Sequence, residues 1–529
     1  MRLSEAILRR TSPAEFVASE YIKTAYYSTG RASDLEGRDR RLYRFLEMVP
    51  GLLAWGTLVA IVVLSKYAPF WAAMFVIVFD VYWLVKTVYL SMYLRQNWKR
   101  IRHNMEVDWG QRLVPLKHDH LWHMIILPFY NESREVIEKS VESLAHAQYD
   151  KKRFIVVLAS EARAGTPAAS LAEEMRQKYA ASFGHFLVTS HPKDVPGEMP
   201  GKGSNIAYAA EQARLHLLDP LGIKYEDVLV SAFDIDTVVT YDRYFQCLTW
   251  NFLTAEKPFR SSFQPVPFYD NNVWYAPALS RVVATSSTFW QMIQQERPER
   301  LATFSSHSVS FKTLYDIGYW QKNMVSEDSR IFWNAWAAFD GDYQVIPLSY
   351  PVSMDANLAP TFTQTATNIY KQHRRWAWGS ENVPYILMAC VKNAAIPLRK
   401  KIHMAFVQIE GFWSLATHPI LIFLLGWLPI VIGGHDFNST LLSYNLPFIT
   451  RNLMNFCMFG LIFSAAVSMS LLPPPPKDAK VHKKLFMILQ WALVPFTMTL
   501  FSAIPGLEAQ TRLMLGKYMG FWVTPKHRQ

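Results

Sequence analysis

Residues 228–236 read VLVSAFDID, an apolar run of six residues that ends at Asp234 and Asp236. Apolar runs of the same buried-strand type occupy 123–127 and 154–158, and a helical pattern lies between those two. Strand, helix and strand in this order predict parallel βαβ units and therefore an α/β domain. Ligands of such sheets bind beyond the carboxyl ends of the strands. The two aspartates therefore stand where a ligand is expected.

Asp234 and Asp236 have the spacing of a cation site. Alternate residues of an extended chain point the same way, so both carboxylates can hold one hard divalent cation, Mg²⁺ or Mn²⁺, that in turn binds a diphosphate. A polar turn after a strand explains the same residues equally well. This motif alone therefore decides little.

Three further motifs follow a consistent order along the chain, and each has two interpretations. Lys202 lies between two glycines and offers a point charge for phosphate, although an ordinary surface loop would look the same. Asp328 could act as a general base, whereas Ser326 as N-cap gives that segment a purely structural explanation. The motifs are Lys202-Gly203-Ser204-Asn205, Ser326-Glu327-Asp328 and Gln372-His373-Arg374-Arg375-Trp376.

The last of these motifs starts an amphipathic segment. Gln372 and Arg375 are three residues apart and share a helix face. Arg375 can grip phosphate in a bidentate manner, and Trp376 and Trp378 offer flat faces to a sugar ring. An aromatic belt at a membrane interface is the structural alternative, particularly for Trp378.

Composition indicates a chain with soluble and membrane parts. It has 529 residues, 50% of them hydrophobic, a mean hydropathy near zero and a net charge of +11. The basic residues flank apolar segments, which favours an anionic lipid leaflet over nucleic acid as their partner. The three cysteines are far apart, so neither a disulfide framework nor a metal-binding spacing is predicted.

Apolar segments on both sides of the α/β region predict an integral protein of the plasma or inner membrane. A basic cluster directly after residue 94 indicates that the α/β domain and the tail are cytoplasmic. Residues 485–507 are interrupted by Pro495 and Pro505 and are predicted to be interfacial or re-entrant. The predicted divisions are a cytoplasmic N-terminal segment (1–45), two transmembrane helices (46–94), the α/β domain (115–385), interface and transmembrane helices (386–516) and a cytoplasmic tail (517–529).

Two ionisable residues lie inside the second apolar stretch, at Asp80 and Lys86. They are six residues apart and therefore poorly placed to pair with each other. We expect Lys86 to snorkel towards the interface and Asp80 to be satisfied by a neighbouring helix. A role in a transport pathway is the alternative.

The four motifs in this order resemble the membrane-bound family-2 glycosyltransferases, such as the cellulose, hyaluronan and chitin synthases. The resemblance implies a GT-A catalytic domain, a Rossmann-like mixed sheet, inserted between transmembrane helices. It implies inverting transfer of a sugar from a nucleotide-diphosphate sugar to a glycan or lipid-linked acceptor. The implied roles are general base for Asp328, metal binding for Asp234 and Asp236, donor and phosphate binding for Lys202, Asn205, Asp234, Gln372 and Arg375, and acceptor binding for Trp376, Ser305 and Glu327.

The end of the chain carries a further match. Phe521-Trp522-Val523-Thr524-Pro525-Lys526 resembles the gating loop of cellulose synthase, which closes over the nucleotide. The resemblance implies that Phe521, Val523, Thr524 and Lys526 are gating residues. It also supports a tail on the same side as the catalytic domain.

Two features depart from the family. The family usually has an aspartate pair after the second strand, one acid of which meets the uracil, and this chain has Glu161 there. We assign Glu161 to donor binding as the substitute; a UDP-sugar is favoured, while this departure leaves the identity of the base open. About four secure spans are predicted, fewer than in cellulose synthase. Polysaccharide synthesis is therefore weighed against three alternatives: a glycolipid enzyme that adds one sugar, a non-catalytic nucleotide- or glycan-binding subunit, and a transporter.

Overall fold

The computed structural model describes residues 18–474 and 481–526. A soluble α/β domain follows two long apolar helices and precedes further apolar helices. Residues 1–17 of the predicted N-terminal segment, residues 475–480 and residues 527–529 of the predicted tail lie outside the described residues, as do the side chains of 481–484.

The soluble domain is built on one mixed sheet of seven strands in the order β3-β2-β1-β4-β6-β5-β7. Only β6 runs antiparallel to its neighbours β4 and β5, and β5 pairs with β7 in parallel. The predicted strands at 123, 154 and 228 are confirmed as β1, β2 and β4. The strands are β1 Trp122–Pro128, β2 Phe154–Glu161, β3 His185–His191, β4 Val228–Ala232, β5 Ser261–Phe268, β6 Ser308–Ser310 and β7 Gln344–Ser353.

Helices cover both faces of this sheet, which explains the unbroken apolar runs in its central strands. Alternate residues of β1 enter two different cores: Met124 and Ile126 enter one, and Ile125 and Leu127 enter the other. The mixed sheet with helices on both faces confirms the predicted α/β domain. The main helices of the domain are Arg134–His146, Gly165–Tyr179, Lys202–Ala213, Tyr244–Thr254, Ala278–Gln295, Phe311–Ile317, Glu327–Ala338, Phe362–Ala377 and Asn382–Lys392.

Among the described residues, five helices are long and apolar enough to cross a membrane. The fifth is interrupted by a 3₁₀ turn at Gln490–Leu493 and by a π turn at Thr499–Ala503. Just before it, the Pro473 carbonyl accepts a hydrogen bond from Trp274 of the soluble domain at 3.2 Å. The five are Gly37–Tyr67, Pro69–Glu106, Leu398–Leu425, Leu441–Ser470 and Leu485–Met514.

Lys86 pairs with a residue that its position in the sequence did not indicate. Its Nζ lies 3.4 Å from Oε1 of Glu410, a residue of the third apolar helix. Oε2 of the same carboxylate lies 2.6 Å from Nη2 of Arg300, which belongs to the soluble domain. The partner was not foreseeable from the spacing within one helix, because it comes from a distant segment. Asp80 is buried, where the second and fourth apolar helices pack.

The segment before the first apolar helix packs on the soluble domain. Tyr21 and Tyr27 are buried in the core that lies on one face of the sheet. The Tyr27 hydroxyl donates to the Ile317 carbonyl at 2.8 Å, and the Thr29 carbonyl accepts from the buried Arg330 at 3.1 Å. Residues 18–36 are thus held by the same domain that carries the motifs.

Candidate active site

The candidate site lies at the carboxyl end of β4 and is centred on one lysine. Lys202 Nζ donates to Asp234 and also to Asp328 Oδ1, the latter at 2.8 Å. The side chain of Lys202 is only 9% exposed. Three motifs separated by up to 126 residues therefore meet at one ammonium group. Ser305 Oγ donates to the other oxygen of Asp234 at 2.5 Å, which adds Ser305, an implied acceptor-binding residue, to the cluster.

Glycines on both sides of Lys202 allow this approach. A Cβ on Gly203 would lie 2.9 Å from the Gln321 carbonyl oxygen and 3.0 Å from Glu327 Cβ, so this close packing needs a glycine. Gly201 has a φ of +153° and faces the ring of Phe521. The helix Lys202–Ala213 begins here, so the positive end of its dipole is directed at the aspartates.

Asn205 lies within this helix but is not brought to the carboxylates. Its Nδ2 donates to the Ala159 carbonyl at 2.8 Å, and the side chain is buried. The contact ties the helix to the end of β2. In this structure Asn205 thus supports the position of Lys202.

The pKa values of Asp234 and Lys202 are shifted strongly from their ordinary values. Burial raises the pKa of Asp234, but the ammonium groups of Lys202 and Lys526 outweigh burial and hold this pKa well below its ordinary value. Burial opposes the charged form of Lys202, yet Asp234 and Asp328 raise its pKa above the usual range. The site is therefore a network of ionised groups that a low-dielectric environment couples strongly.

Asp236 is engaged by the tail of the chain. Lys526 Nζ lies 2.6 Å from Asp236 Oδ2, with side-chain exposures of 15% and 0%. The same oxygen accepts the N–H of Asp355, just after β7, at 3.0 Å. Burial opposes the charged form of Lys526, and the surrounding aspartates, Asp236 foremost, raise its pKa.

Other tail residues lie across the site. Phe521 packs against Gly201, and the Arg375 guanidinium lies 5.0 Å from the centre of the Phe521 ring. Lys371 lies 5.6 Å from the ring of Trp522. Val523 is half-buried and Thr524 is buried. The structure therefore brings the predicted gating motif and the aspartates together.

The carboxylates at the end of β4 fit a hard divalent cation. Asp234 forms an ion pair with the ammonium group of Lys202, and Asp236 forms one with that of Lys526. Both carboxylates thus bind a positively charged group in this structure. Two carboxylates provide only part of a coordination shell, and phosphate oxygens commonly complete it. Among the described residues, no group of three or more histidine, cysteine, aspartate or glutamate side chains is arranged as a metal site.

Asp328 and its neighbour differ in their surroundings. Asp328 is the second residue of the helix Glu327–Ala338 and is partly exposed. Glu327 is buried, and burial together with Asp328 raises its pKa. Glu327 Oε1 finds no hydrogen-bond partner among the described residues. The two acids of this motif thus have different environments, as different roles require.

Ser326 does not cap this helix through its side chain, contrary to the structural interpretation of the sequence. The Glu381 carboxylate instead accepts the N–H groups of Val325 and Ser326, at 3.2 and 2.9 Å. Neither the position of Glu381 nor its role is visible in the sequence pattern.

His307, within the segment Phe304 to Ser308 that resembles the acceptor-contacting segment of the family, is a second residue whose own role the sequence did not indicate. It is buried, and its Nδ1 lies 3.8 Å from Asp328 Oδ1. Its Nε2 accepts from Trp320 Nε1 at 3.1 Å, which leaves Nδ1 as the donor to the Phe304 carbonyl at 2.9 Å. Burial lowers its pKa, so a neutral ring orders the loop that carries Ser305.

The helix Phe362–Ala377 carries the last motif. Trp376 is half-buried, with its ring centre 5.8 Å from that of Phe304 and 4.9 Å from that of His373. Gln372 lies one turn before Trp376 and is also half-buried. Trp378 is not part of an interface belt: it is buried, and its Nε1 donates to Glu381 Oε2 at 2.9 Å.

Glu161 lies at the end of β2 and is bound in a bidentate ion pair. Arg163 donates to its two oxygens at 2.6 and 3.0 Å, and the Arg163 guanidinium lies 4.3 Å from the Tyr130 ring centre. The structure thus places Glu161 on a neighbouring strand end and pairs it with Arg163, whereas the Lys202 cluster is built at the end of β4.

Comparison with known proteins gives distant likenesses only. No protein-family model matches the chain, and no curated protein matches it. A mannosyltransferase from Pyrobaculum calidifontis, PcManGT, in complex with GDP-Man and Mn²⁺, is 12% identical, with 74% of this chain and 99% of that chain covered and a TM-score of 0.41. Residues 1–349 of TarS from S. aureus are 12% identical, with 66% and 91% covered and a TM-score of 0.35, both alone and in complex with UDP-GlcNAc. Likeness at this level assigns neither family nor activity to this chain.

Proposed function

We propose that this chain is an inverting glycosyltransferase of GT-A type that transfers a sugar from a nucleotide-diphosphate donor to a glycan acceptor at a membrane face. The observation that carries this proposal is the convergence on Lys202. Its ammonium contacts Asp234 and Asp328, two carboxylates from distant motifs, at the carboxyl ends of the strands. Polysaccharide synthesis from a UDP-sugar at the cytoplasmic face is the form that the motif resemblance favours.

The donor side is a centre of positive charge beside two carboxylates. Asp234 and Asp236 would hold the divalent cation, which when bound neutralises the diphosphate as it leaves. Lys202 and the start of its helix supply a fixed charge and dipole for the same phosphates. Arg375 lies against Phe521 of the tail. In this position Arg375 can bind phosphate in a bidentate manner while the tail is closed over the site.

The acceptor side is served by Asp328 and Trp376. Asp328 takes the proton from the attacking hydroxyl, because it is a partly exposed carboxylate of the Lys202 cluster that an acceptor can reach. The hydroxyl then attacks the anomeric carbon from the face opposite the diphosphate, which inverts the configuration. Trp376, with Phe304 beside it, offers an aromatic surface for the acceptor sugar.

A donor screen tests this proposal. Detergent-purified protein is incubated with UDP-, GDP- and dTDP-sugars and with Mg²⁺ or Mn²⁺, and both nucleotide release and product length are measured. We expect acceptor-dependent release with one nucleotide, and loss of that release in Asp328→Asn. Release that is equal in wild type and Asp328→Asn would contradict the assignment of the base. A product of one added sugar would favour glycolipid synthesis over a polymer.

A further inference from the structure

We infer that Glu381 is a positioning residue for the general base. It fixes the segment that enters the helix of Asp328 and joins this segment to the helix of Trp376. The inference rests on the proposed function, in which Asp328 takes the acceptor proton and Trp376 contacts the acceptor. Glu381 itself does not touch the site cluster around Lys202.

The contacts of Glu381 span two motifs. Its side chain is buried, and Oε1 accepts the backbone N–H of Ser326 at 2.9 Å and that of Val325 at 3.2 Å. Oε2 accepts Trp378 Nε1 at 2.9 Å. Residues 325 and 326 directly precede Glu327 and Asp328, whereas Trp378 directly follows the helix of Trp376. One carboxylate therefore sets the spacing between the base and the aromatic surface.

A second residue closes this connection from the other side. Arg330, one turn into the helix of Asp328, is completely buried and stacks on Tyr385 at 4.0 Å. Its guanidinium donates to the Glu381 backbone carbonyl at 3.3 Å and to Asn382 Oδ1 at 2.7 Å. Arg330 of this helix thus binds the backbone carbonyl of Glu381, while the side chain of Glu381 binds the backbone N–H groups just before the helix.

The charge of Glu381 is needed for this geometry. A carboxylate accepts on both oxygens and therefore satisfies three N–H donors at once. In Glu381→Gln one oxygen becomes an NH₂ group, which then faces either the Trp378 indole N–H or the backbone N–H groups. A buried donor against a donor is unfavourable, so the segment 325–328 must shift or loosen.

We therefore expect Glu381→Gln to lower kcat by about 10- to 100-fold, since small displacements of reacting groups have effects of this size. The donor KM and the nucleotide Kd should change less than twofold, because Lys202 and Asp234 are untouched. Glu381→Asp, which restores the charge on a shorter side chain, should recover part of kcat. A folding defect alone would not produce this division between kcat and nucleotide binding, nor the recovery.

Glu296→Gln is the matched control. Glu296 is also a buried glutamate, with its side chain 3% exposed, and it accepts from Asn97 at 2.9 Å and Arg100 at 3.1 Å. It has no contact with the Lys202 cluster among those described, so kcat should stay within twofold of wild type.

Hydrogen exchange of the peptide that contains Val325 and Ser326 gives a second readout, independent of activity. We expect faster exchange there in Glu381→Gln and unchanged exchange in Glu296→Gln. An unchanged kcat with unchanged exchange overturns the inference, as does a loss of nucleotide affinity equal to the loss of kcat. If wild type transfers no sugar from any donor, the proposed function fails, whereas the exchange experiment still decides whether Glu381 holds this segment. If Glu381→Gln does not fold, Glu381→Asp carries both readouts; its shorter side chain should leave kcat below wild type and exchange faster than in wild type, and wild-type kcat together with wild-type exchange overturns the inference.

Discussion

Lys526→Met is expected to tighten the binding of a divalent cation by the nucleotide-free protein. Lys526 Nζ and Asp236 Oδ2 are 2.6 Å apart, and the Asp236 side chain has no solvent exposure. A cation that uses the Asp236 carboxylate must first release this ammonium. The tail and the cation therefore compete for one carboxylate, and removing the ammonium favours the cation.

The size of the effect follows from this single contact. A hydrogen bond that involves a charged group contributes about 1.5–3 kcal/mol, and about 1.4 kcal/mol corresponds to a factor of ten in an equilibrium constant. The cation Kd should therefore fall by about 10- to 150-fold in Lys526→Met. Methionine keeps the unbranched apolar stem, so the packing of Phe521 against Gly201 is retained.

The assay is a titration with Mn²⁺ in which the free ion is measured by electron paramagnetic resonance, on detergent-purified protein without nucleotide. Lys517→Met serves as the control, because Lys517 is exposed and its removal changes the net charge equally. Its Kd should stay within twofold of wild type. An unchanged Kd in Lys526→Met, or an equal change in both variants, would refute the competition.

Three further predictions concern the rest of the site. Asp328→Asn should lower the transfer rate by about 10²- to 10⁴-fold while nucleotide binding by calorimetry changes little; parallel losses would contradict a role as base. Gly201→Ala places a Cβ 2.7 Å from Phe521 Cγ, so the tail should be displaced and cleaved faster in limited proteolysis, with a higher donor KM. Wild-type cleavage would mean that the tail does not rest on Gly201. Trp376→Ala should weaken acceptor binding by about 1 kcal/mol or more, seen as a rise in acceptor KM without a rise in donor KM; the reverse pattern would move Trp376 to the donor side.

The central part of the fold could be predicted because burial on both sides leaves a plain pattern in sequence. β1, β2 and β4 are runs of apolar residues, and a parallel sheet brings their carboxyl ends to one edge. That rule alone explains why Asp234 could be expected near residues from other strand ends. β6 was not predictable, since Ser308, Val309 and Ser310 form a short polar segment whose pairing depends on its neighbours.

The supporting residues were beyond the reach of sequence patterns for a different reason. Glu381 and His307 act through contacts with segments 55 and 21 residues away, Ser326 and Asp328 respectively. Neither contact follows from helical or strand periodicity. The sequence left Trp378 as a flat face for a sugar ring or as part of an aromatic belt, and it did not indicate the buried position that the structure shows.

The packing of residues 18–36 and of the tail residues up to Lys526 on the soluble domain limits how the chain can be threaded through a bilayer. Residues 18–36 and the tail residue Lys526 contact that one domain. The N-terminal segment, the domain and the tail therefore lie on the same side of a bilayer. Each group of apolar helices that connects them must return the chain to that side. The two apolar helices before the domain satisfy this parity. If each of the three apolar helices after the domain crossed the bilayer, the tail would lie on the opposite side from the domain. A chain whose soluble domain and tail share one side of a bilayer would need one of these helices to turn back, and Leu485–Met514, with its broken turns at Gln490–Leu493 and Thr499–Ala503, is the one we expect to do so. Such a chain would make four complete passes and one half-excursion, and that half-excursion would lead directly into the tail at the site.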